Sequence, residues 1–318
     1  MKKVWLWHLL LCSVLFADSL SPKQSIEASG NVQSIVYSNG QIIAGTSVGT
    51  LEVFKATDGK RLANVHFPLI KDFMGDEVAP KLFSVDVLEG SQTYLSVVQA
   101  SNGARALYIV ENQQPKVLRD ASKNWFIAKA RFLDSNRILV ALLSNELIVW
   151  DIKKAQAQYQ VQINPSHFSD FSLNSAKTQA ACSNESGEIA IVDVATGKTV
   201  KTLRGGNVDN VYKVDFKTSK VLCAGQDRRG IVYEYSTGNF ERFDAEFLIY
   251  AGALSPDESL GAFAFNENND IVLFDLKKRA AMHTLKGQKS TLNTILFTDN
   301  HHLISSSDDQ FIMMWSIP

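Results

Sequence analysis

The chain has 318 residues, 45% of them apolar, with 32 basic against 33 acidic side chains and a formal charge of −1. That balance excludes the basic footprint of a nucleic-acid binder, and the length and apolar fraction fit an ordinary globular protein with a large core. Three cysteines are too few for a disulfide framework, so stability has to come from burial.

In chain order, Lys2 and Lys3, the apolar run 4–16 and the small residue Ala17 read as a secretory signal peptide over residues 1–17. Cleavage before Asp18 leaves residues 18–318, with Cys182 and Cys223 as the remaining thiols and a formal charge near −3, because two lysines and no acids are lost. The apolar run falls short of the roughly 20 residues a membrane-spanning helix needs, so an exported, soluble, periplasmic protein without stable membrane insertion is expected. The rival readings are an uncleaved anchor and a lipoprotein signal acylated at Cys12. Against the latter, Leu11 stands where a small residue is expected and the apolar run continues past Cys12 to Phe16.

From residue 49 onward a short apolar strand followed by a turn recurs: GTLEVFKATDGK, ALYIVENQQPK, ELIVWDIKK, EIAIVDVATGK, GIVYEYSTGN, DIVLFDLKKRA and FIMMWSIP. Equivalent positions are Phe54, Val110, Trp150, Val192, Tyr233, Phe274 and Trp315, spaced by 56, 40, 42, 41, 41 and 41 residues, with the fifth register uncertain by one. Repeats of about 40 to 45 residues with alternating apolar and polar positions are the signature of four-stranded propeller blades. Seven copies predict an all-β, seven-bladed β-propeller.

The copies resemble WD40 repeats most clearly at Trp150-Asp151, at Leu254-Ser255-Pro256-Asp257 followed by Phe274-Asp275, and at 305–309 followed by Trp315. The repeats are degenerate: the family's Gly-His pair is missing, and Gly287 is followed by Gln288. The family's His-Asp-Ser-Trp hydrogen-bond network is therefore expected to be incomplete in every blade, leaving strand pairing and packing as the main supports.

The last copy stops at its third strand, while residues 23–29 precede the first copy's innermost strand. The segment KQSIEASGNVQSI parallels KTLRGGNVDNVYKV, where an outer strand passes into the next inner strand. The N-terminal segment is accordingly expected to supply the seventh blade's fourth strand and close the ring, which removes an open edge. The 56-residue interval marks one insertion, PLIKDFMGDEVAPK at 68–81, between an outer strand at 61–67 and an inner strand at 82–88. It belongs to the face of outer-to-inner crossovers and should project beside the central channel.

Catalysis needs converging groups, and no nucleophile motif, metal-ligand motif, phosphate loop or Cys-x-x-Cys occurs, so neither catalytic residues, metal nor cofactor are predicted. His301-His302 lies in the turn TDNHH and reads as a solvated turn, since neighbouring side chains of extended backbone point opposite ways. His66, His167 and His283 suggest no ligand set. Cys182 and Cys223 occupy matching second-strand positions of neighbouring blades, too far apart for a bridge, and read as buried thiols. Trp125, Trp150 and Trp315 read as core.

The remaining polar and aromatic residues gather in the crossovers and second-to-third strand turns of one face. Lys71, Asp72, Phe73, Met74, Asp76 and Glu77 come from the insertion; Phe168 and Asp170 from HFSDF; Asp209, Asn210 and Tyr212 from NVDNVY. Asp227, Arg228 and Arg229 come from AGQDRRG, with Tyr250 and Glu267 beyond. Interfaces are rich in aromatics, Met and Arg within a polar rim, so these residues form the candidate partner-binding face of a monomer. Capping of tight turns is the competing explanation for the Asp and Asn residues.

The segments KDFMGDE, SHFSDF, NVDNVYKVDF, AGQDRR, FLIYAGALSP and LKGQKS are similar to the NapL family, propeller-type accessory proteins of periplasmic nitrate reductase systems. That resemblance implies a non-catalytic role in maturation or activity of the molybdenum-containing reductase, with the reductase or its assembly factors as protein partners. Phrases such as VATGKTVKTL also resemble the propeller lipoprotein of outer-membrane assembly and quinone-cofactor dehydrogenases. The alternatives are thus a general envelope assembly factor, or a propeller with a small-molecule site in its channel.

Overall fold

A computed structural model describes residues 18–123 and 125–318; the expected signal peptide and Cys12 lie outside them. The chain forms seven sheets of radially ordered strands. The first blade comprises Val32–Ser38, Gln41–Thr46, Thr50–Lys55 and Arg61–His66, hydrogen-bonded in that order from the channel outward. The second to fifth blades repeat this arrangement from Leu82–Val87, Ile127–Phe132, Phe168–Leu173 and Val211–Phe216 as innermost strands. The sixth begins at Gly252–Leu254 and the seventh at Leu292–Asp299.

The repeat register is regular. The seven equivalent third-strand residues face matching second-strand residues, including Trp150 opposite Ile138, Tyr233 opposite Val221 and Trp315 opposite Leu303. Tyr233 is therefore the equivalent position of the fifth copy. Second strands such as RILVAL and KVLCAG are buried on both faces because a blade lies on either side of them. Outer strands such as QAQYQVQ are largely exposed and polar, which blunts their free edges.

The core is divided into seven clusters, one at each blade boundary. At about 1.5–3 kcal/mol for each large side chain removed from water, these layers are the main source of stability. Inner-strand side chains cross most of the boundaries on the channel side. Ser34 Oγ accepts from Val85 N at 3.3 Å, Asp86 from Phe132 N at 2.7 Å, Ser172 Oγ from Phe216 N at 3.1 Å and Asp215 from Leu254 N at 2.8 Å. Asn293 Nδ2 donates to Val32 O at 2.6 Å across the seventh-to-first boundary.

Ring closure follows the expectation from the repeat: Gln24–Glu27 pairs antiparallel with Phe311–Ser316, Ile26 opposite Ile312. One element lies beyond that expectation. Asp18–Leu20 adds to the sixth blade as a fifth strand, parallel to Ala280–Leu285, so the N-terminal segment ties both last blades.

In two blades other groups take over the role of the WD40-type hydrogen-bond network. In the seventh blade Trp315 Nε1 donates to Ser305 Oγ at 2.8 Å, Gln288 Nε2 donates to the same oxygen at 2.9 Å, and Ser307 Oγ donates to Gln288 Oε1 at 3.2 Å. Gln288, buried where His is expected, supplies both donor and acceptor. In the fifth blade Gly206-Asn207 takes that place. Asn207 Nδ2 donates to Asp227 Oδ1 at 3.0 Å, and Gly206 N donates to the Tyr233 hydroxyl at 2.9 Å. A Cβ at Gly206 would stand 2.5 Å from that hydroxyl, so only glycine fits there.

Candidate functional site

The insertion at 68–81 forms a hairpin, Ile70–Lys71 paired with Glu77–Val78. Asp72 builds its turn: its carboxylate accepts from Met74 N at 2.8 Å and Asp76 N at 3.0 Å, and its own N–H donates to Asp76 O at 2.9 Å. Gly75, at φ 93°, supplies the left-handed residue. The turn leaves Phe73 90% exposed and Met74 73% exposed, ringed by exposed Lys71, Asp76 and Glu77. At the base, buried Pro80 packs against Gly49 in the second-to-third strand turn of the first blade.

Across the channel mouth, the boundary of the fifth and sixth blades carries a second patch. Tyr212 and Tyr250 stack with centroids 5.0 Å apart and planes 19° apart, with Phe247 6.3 Å from Tyr250. The Tyr212 hydroxyl donates to Gln226 at 2.9 Å. Val208 is 65% exposed, and Asp209 and Arg228 are exposed beside it; Arg228 sits at φ 64° in the turn that holds Asp227 inward. Glu267 is exposed on the neighbouring turn of the sixth blade. The candidate face is thus two patches on opposite sides of the mouth.

Five of the candidate residues are turned to internal duty. Phe168 is buried in the layer between the third and fourth blades, against Phe171. Asp170 is buried and holds Lys129 Nζ at 2.7 Å, while its other oxygen accepts from Val214 N at 3.3 Å. Asp227 accepts from Val208 N at 2.8 Å and Arg229 N at 3.2 Å in addition to Asn207. Arg229 Nη1 donates to Gly206 O at 3.2 Å. Asn210, half-buried, accepts from Ser169 Oγ at 2.6 Å. Polar residues beside the free N–H groups of a neighbouring strand fold inward because an unmade backbone hydrogen bond costs more than their own desolvation.

The innermost strands enclose a channel of about 650 Å³. Its lining includes six cationic side chains and three carboxylates, unequally distributed around the ring. The register aligns Lys129, Asp170 and Lys213 in one tier of the third, fourth and fifth blades, and Asp86, Arg131, Ser172 and Asp215 in the next. With Ser84 of the second blade, Ser34, Ala251 and Thr294 complete the first tier, and Val36, Ala253 and Leu296 complete the second, on the side of the sixth, seventh and first blades. Lys129 also donates to Phe171 O at 2.7 Å, and Arg131 donates to Ser84 Oγ at 2.8 Å and Val85 O at 3.0 Å. Burial, reinforced by Arg131 and Lys213 and opposed by Asp170, lowers the Lys129 ammonium to about 8. Burial works to raise Asp170, but Lys129, Lys213 and its hydrogen bonds hold it below the ordinary carboxylate value.

Cys182 and Cys223 are buried and free. Being equivalent, each faces the preceding blade, Cys182 in the layer between the third and fourth blades and Cys223 in the next, so Cys182 points away from Cys223. Burial pushes both thiols up. His302 Nδ1 lies 2.8 Å from Asp299 in an exposed turn, and no group of three metal-ligating side chains occurs among the described residues. Trp125 packs edge-on to Trp150 at 5.2 Å with the Arg119 guanidinium 4.0 Å from its ring, and Trp315 is buried.

No family model matches the chain. It is similar to the guanine nucleotide-binding protein subunit beta of Saccharomyces cerevisiae, 30% identical over 115 residues. The match covers 33% of this chain and 27% of that relative's length. Together with the seven blades, this similarity supports a WD40-like propeller, an architecture compatible with protein interaction.

Proposed function

We propose that this protein is a periplasmic interaction scaffold, an accessory or maturation factor of periplasmic nitrate reductase without catalytic activity of its own. The exposed Phe73-Met74 pair carries the scaffold part of that reading. Two large apolar side chains at the tip of a hairpin built by Asp72 and Gly75 do nothing for the hairpin itself, and burying them against a partner is worth about 1.5–3 kcal/mol each. Lys71, Asp76 and Glu77 around them supply the polar rim of such a contact. The Tyr212–Tyr250 stack across the mouth offers a second anchor of the same kind. The likeness of segments such as KDFMGDE and AGQDRR to NapL proteins supports the nitrate reductase assignment, and the residues before Asp18 support export.

The test is capture of partners from the periplasm of nitrate-respiring cells by the tagged protein. The reductase, its chaperones or its electron-transfer proteins should appear in the eluate and disappear when residues 68–81 are replaced by a short Gly-Ser turn. Absence of all three groups, together with an unchanged eluate on replacement, rejects the proposal. Release of the protein by osmotic shock distinguishes a soluble periplasmic species from one anchored at Cys12.

A further inference from the structure

The channel has two unlike walls, and its charge is not balanced by its own carboxylates. Six cations face three acids in a chain whose formal charge is −1 overall, so positive charge is concentrated there. Lys129 and Arg131 spend their donors on Asp170, Ser84 and backbone carbonyls. Lys213 is different. It is half-buried in the same tier, close enough to Asp170 and Lys129 to act on both electrostatically, and makes no ion pair or hydrogen bond among the described residues. Facing this wall are Gly252, Ala253 and Leu296, with no charge among them.

A half-buried ammonium without a protein partner keeps its donors free for a ligand, and an anion entering from the mouth would meet it in a site of reduced dielectric. The uncharged wall gives the rest of such a ligand apolar surface to cover, and a channel of about 650 Å³ lies within the range of small-molecule sites. We propose that the channel binds a small organic anion, a phosphate or dicarboxylate bearing an apolar body, with Lys213 as its main charge partner and the sixth and seventh blades as its apolar wall.

Calorimetric titration of the full protein at constant ionic strength tests this with phenyl phosphate and phenylsuccinate, against inorganic phosphate and succinate. One of the phenyl-bearing probes should bind saturably at one site, at least tenfold more tightly than its parent anion. Lys213→Gln should weaken that binding at least tenfold, whereas Lys213→Arg, which keeps the charge, should stay within about threefold of the native protein. A thermal scan of both variants confirms that they remain folded. The proposal is overturned if neither phenyl-bearing probe saturates a site at millimolar concentration, if the phenyl group adds nothing, if Lys213→Gln binds as the native protein does, or if folded Lys213→Arg loses binding as Lys213→Gln does. Which of the two probes binds decides between a phosphate and a dicarboxylate headgroup.

Discussion

Two crossovers on the same face treat the same kinds of residue in opposite ways. The crossover at 68–81 uses its aspartate, Asp72, to shape a local turn and presents its apolar residues to solvent. The crossover at 204–210 instead sends Asn207 inward to Asp227, and Asp227 in turn holds Val208 N and Arg229 N. The difference lies in what each carboxylate can reach. Asp72 meets only the N–H groups of its own hairpin, while Asp227 meets donors from the crossover as well as its own turn. A polar loop residue is therefore informative about binding only after its backbone obligations have been counted.

The comparison yields graded expectations. Asp227→Ala strips three donors of their acceptor and should lower unfolding free energy by about 3 kcal/mol in denaturant titration; a change under about 1 kcal/mol would place Asp227 with Asp72 after all. Glu258, on the opposite face, accepts from the N–H groups of Thr218, Ser219 and Lys220 at 2.7–2.9 Å and from the Ser219 hydroxyl, and Glu258→Ala should cost about 1 kcal/mol, moderated by solvent. Although burial works to raise it, the Ser219, Lys220 and Thr218 hydrogen bonds hold Glu258 below its ordinary 4.5. Its contribution is thus complete above that value and lost as pH falls through the lower folded one, so the native protein should lose more stability on acidification than Glu258→Ala does.

Asp72→Ala should cost about 0.5–1 kcal/mol globally, because only the hairpin turn depends on it, yet should open 68–81 to limited proteolysis. Phe73→Ser with Met74→Ser should leave stability within about 0.5 kcal/mol while weakening partner capture at least tenfold. Smallest of all, Cys182 and Cys223 should remain unmodified by a thiol reagent in the native protein at pH 8 and react on unfolding, as mass mapping of their peptides would read.

Much of the ring was legible because alternation within a strand and recurrence near 41 residues are both imposed by the same geometry, a pleated blade that must be buried on two sides. Ring closure at Gln24–Glu27 and the position of the insertion followed from that arithmetic. Asp18–Leu20 was not legible, since a three-residue parallel strand has no pattern of its own. Gln288 and Asn207 were hidden for another reason: they satisfy a hydrogen-bonding role with a different functional group, which a search for the usual His cannot detect. Phe168 and Asp170 looked like surface residues because an inner strand alternates between a channel and its neighbouring blades, and a channel-side carboxylate reads like an exposed one. The uneven charge of the channel emerged only when residues from four blades were brought into register.

The pairing of Ile26 with Ile312 has a consequence for how the molecule comes into being. Synthesis delivers Gln24–Glu27 before the seven inner strands and its hydrogen-bonding partner after them, so most of the blades can assemble locally while the final seam waits for Phe311–Ser316. Until Phe311–Ser316 has emerged, the nascent protein is an open arc with an unpaired edge at the seam. Loop closure over nearly the whole chain adds only slowly to the entropy cost, but it must follow the local steps, which makes the seam the natural last event of folding and the natural place for a folding factor to act.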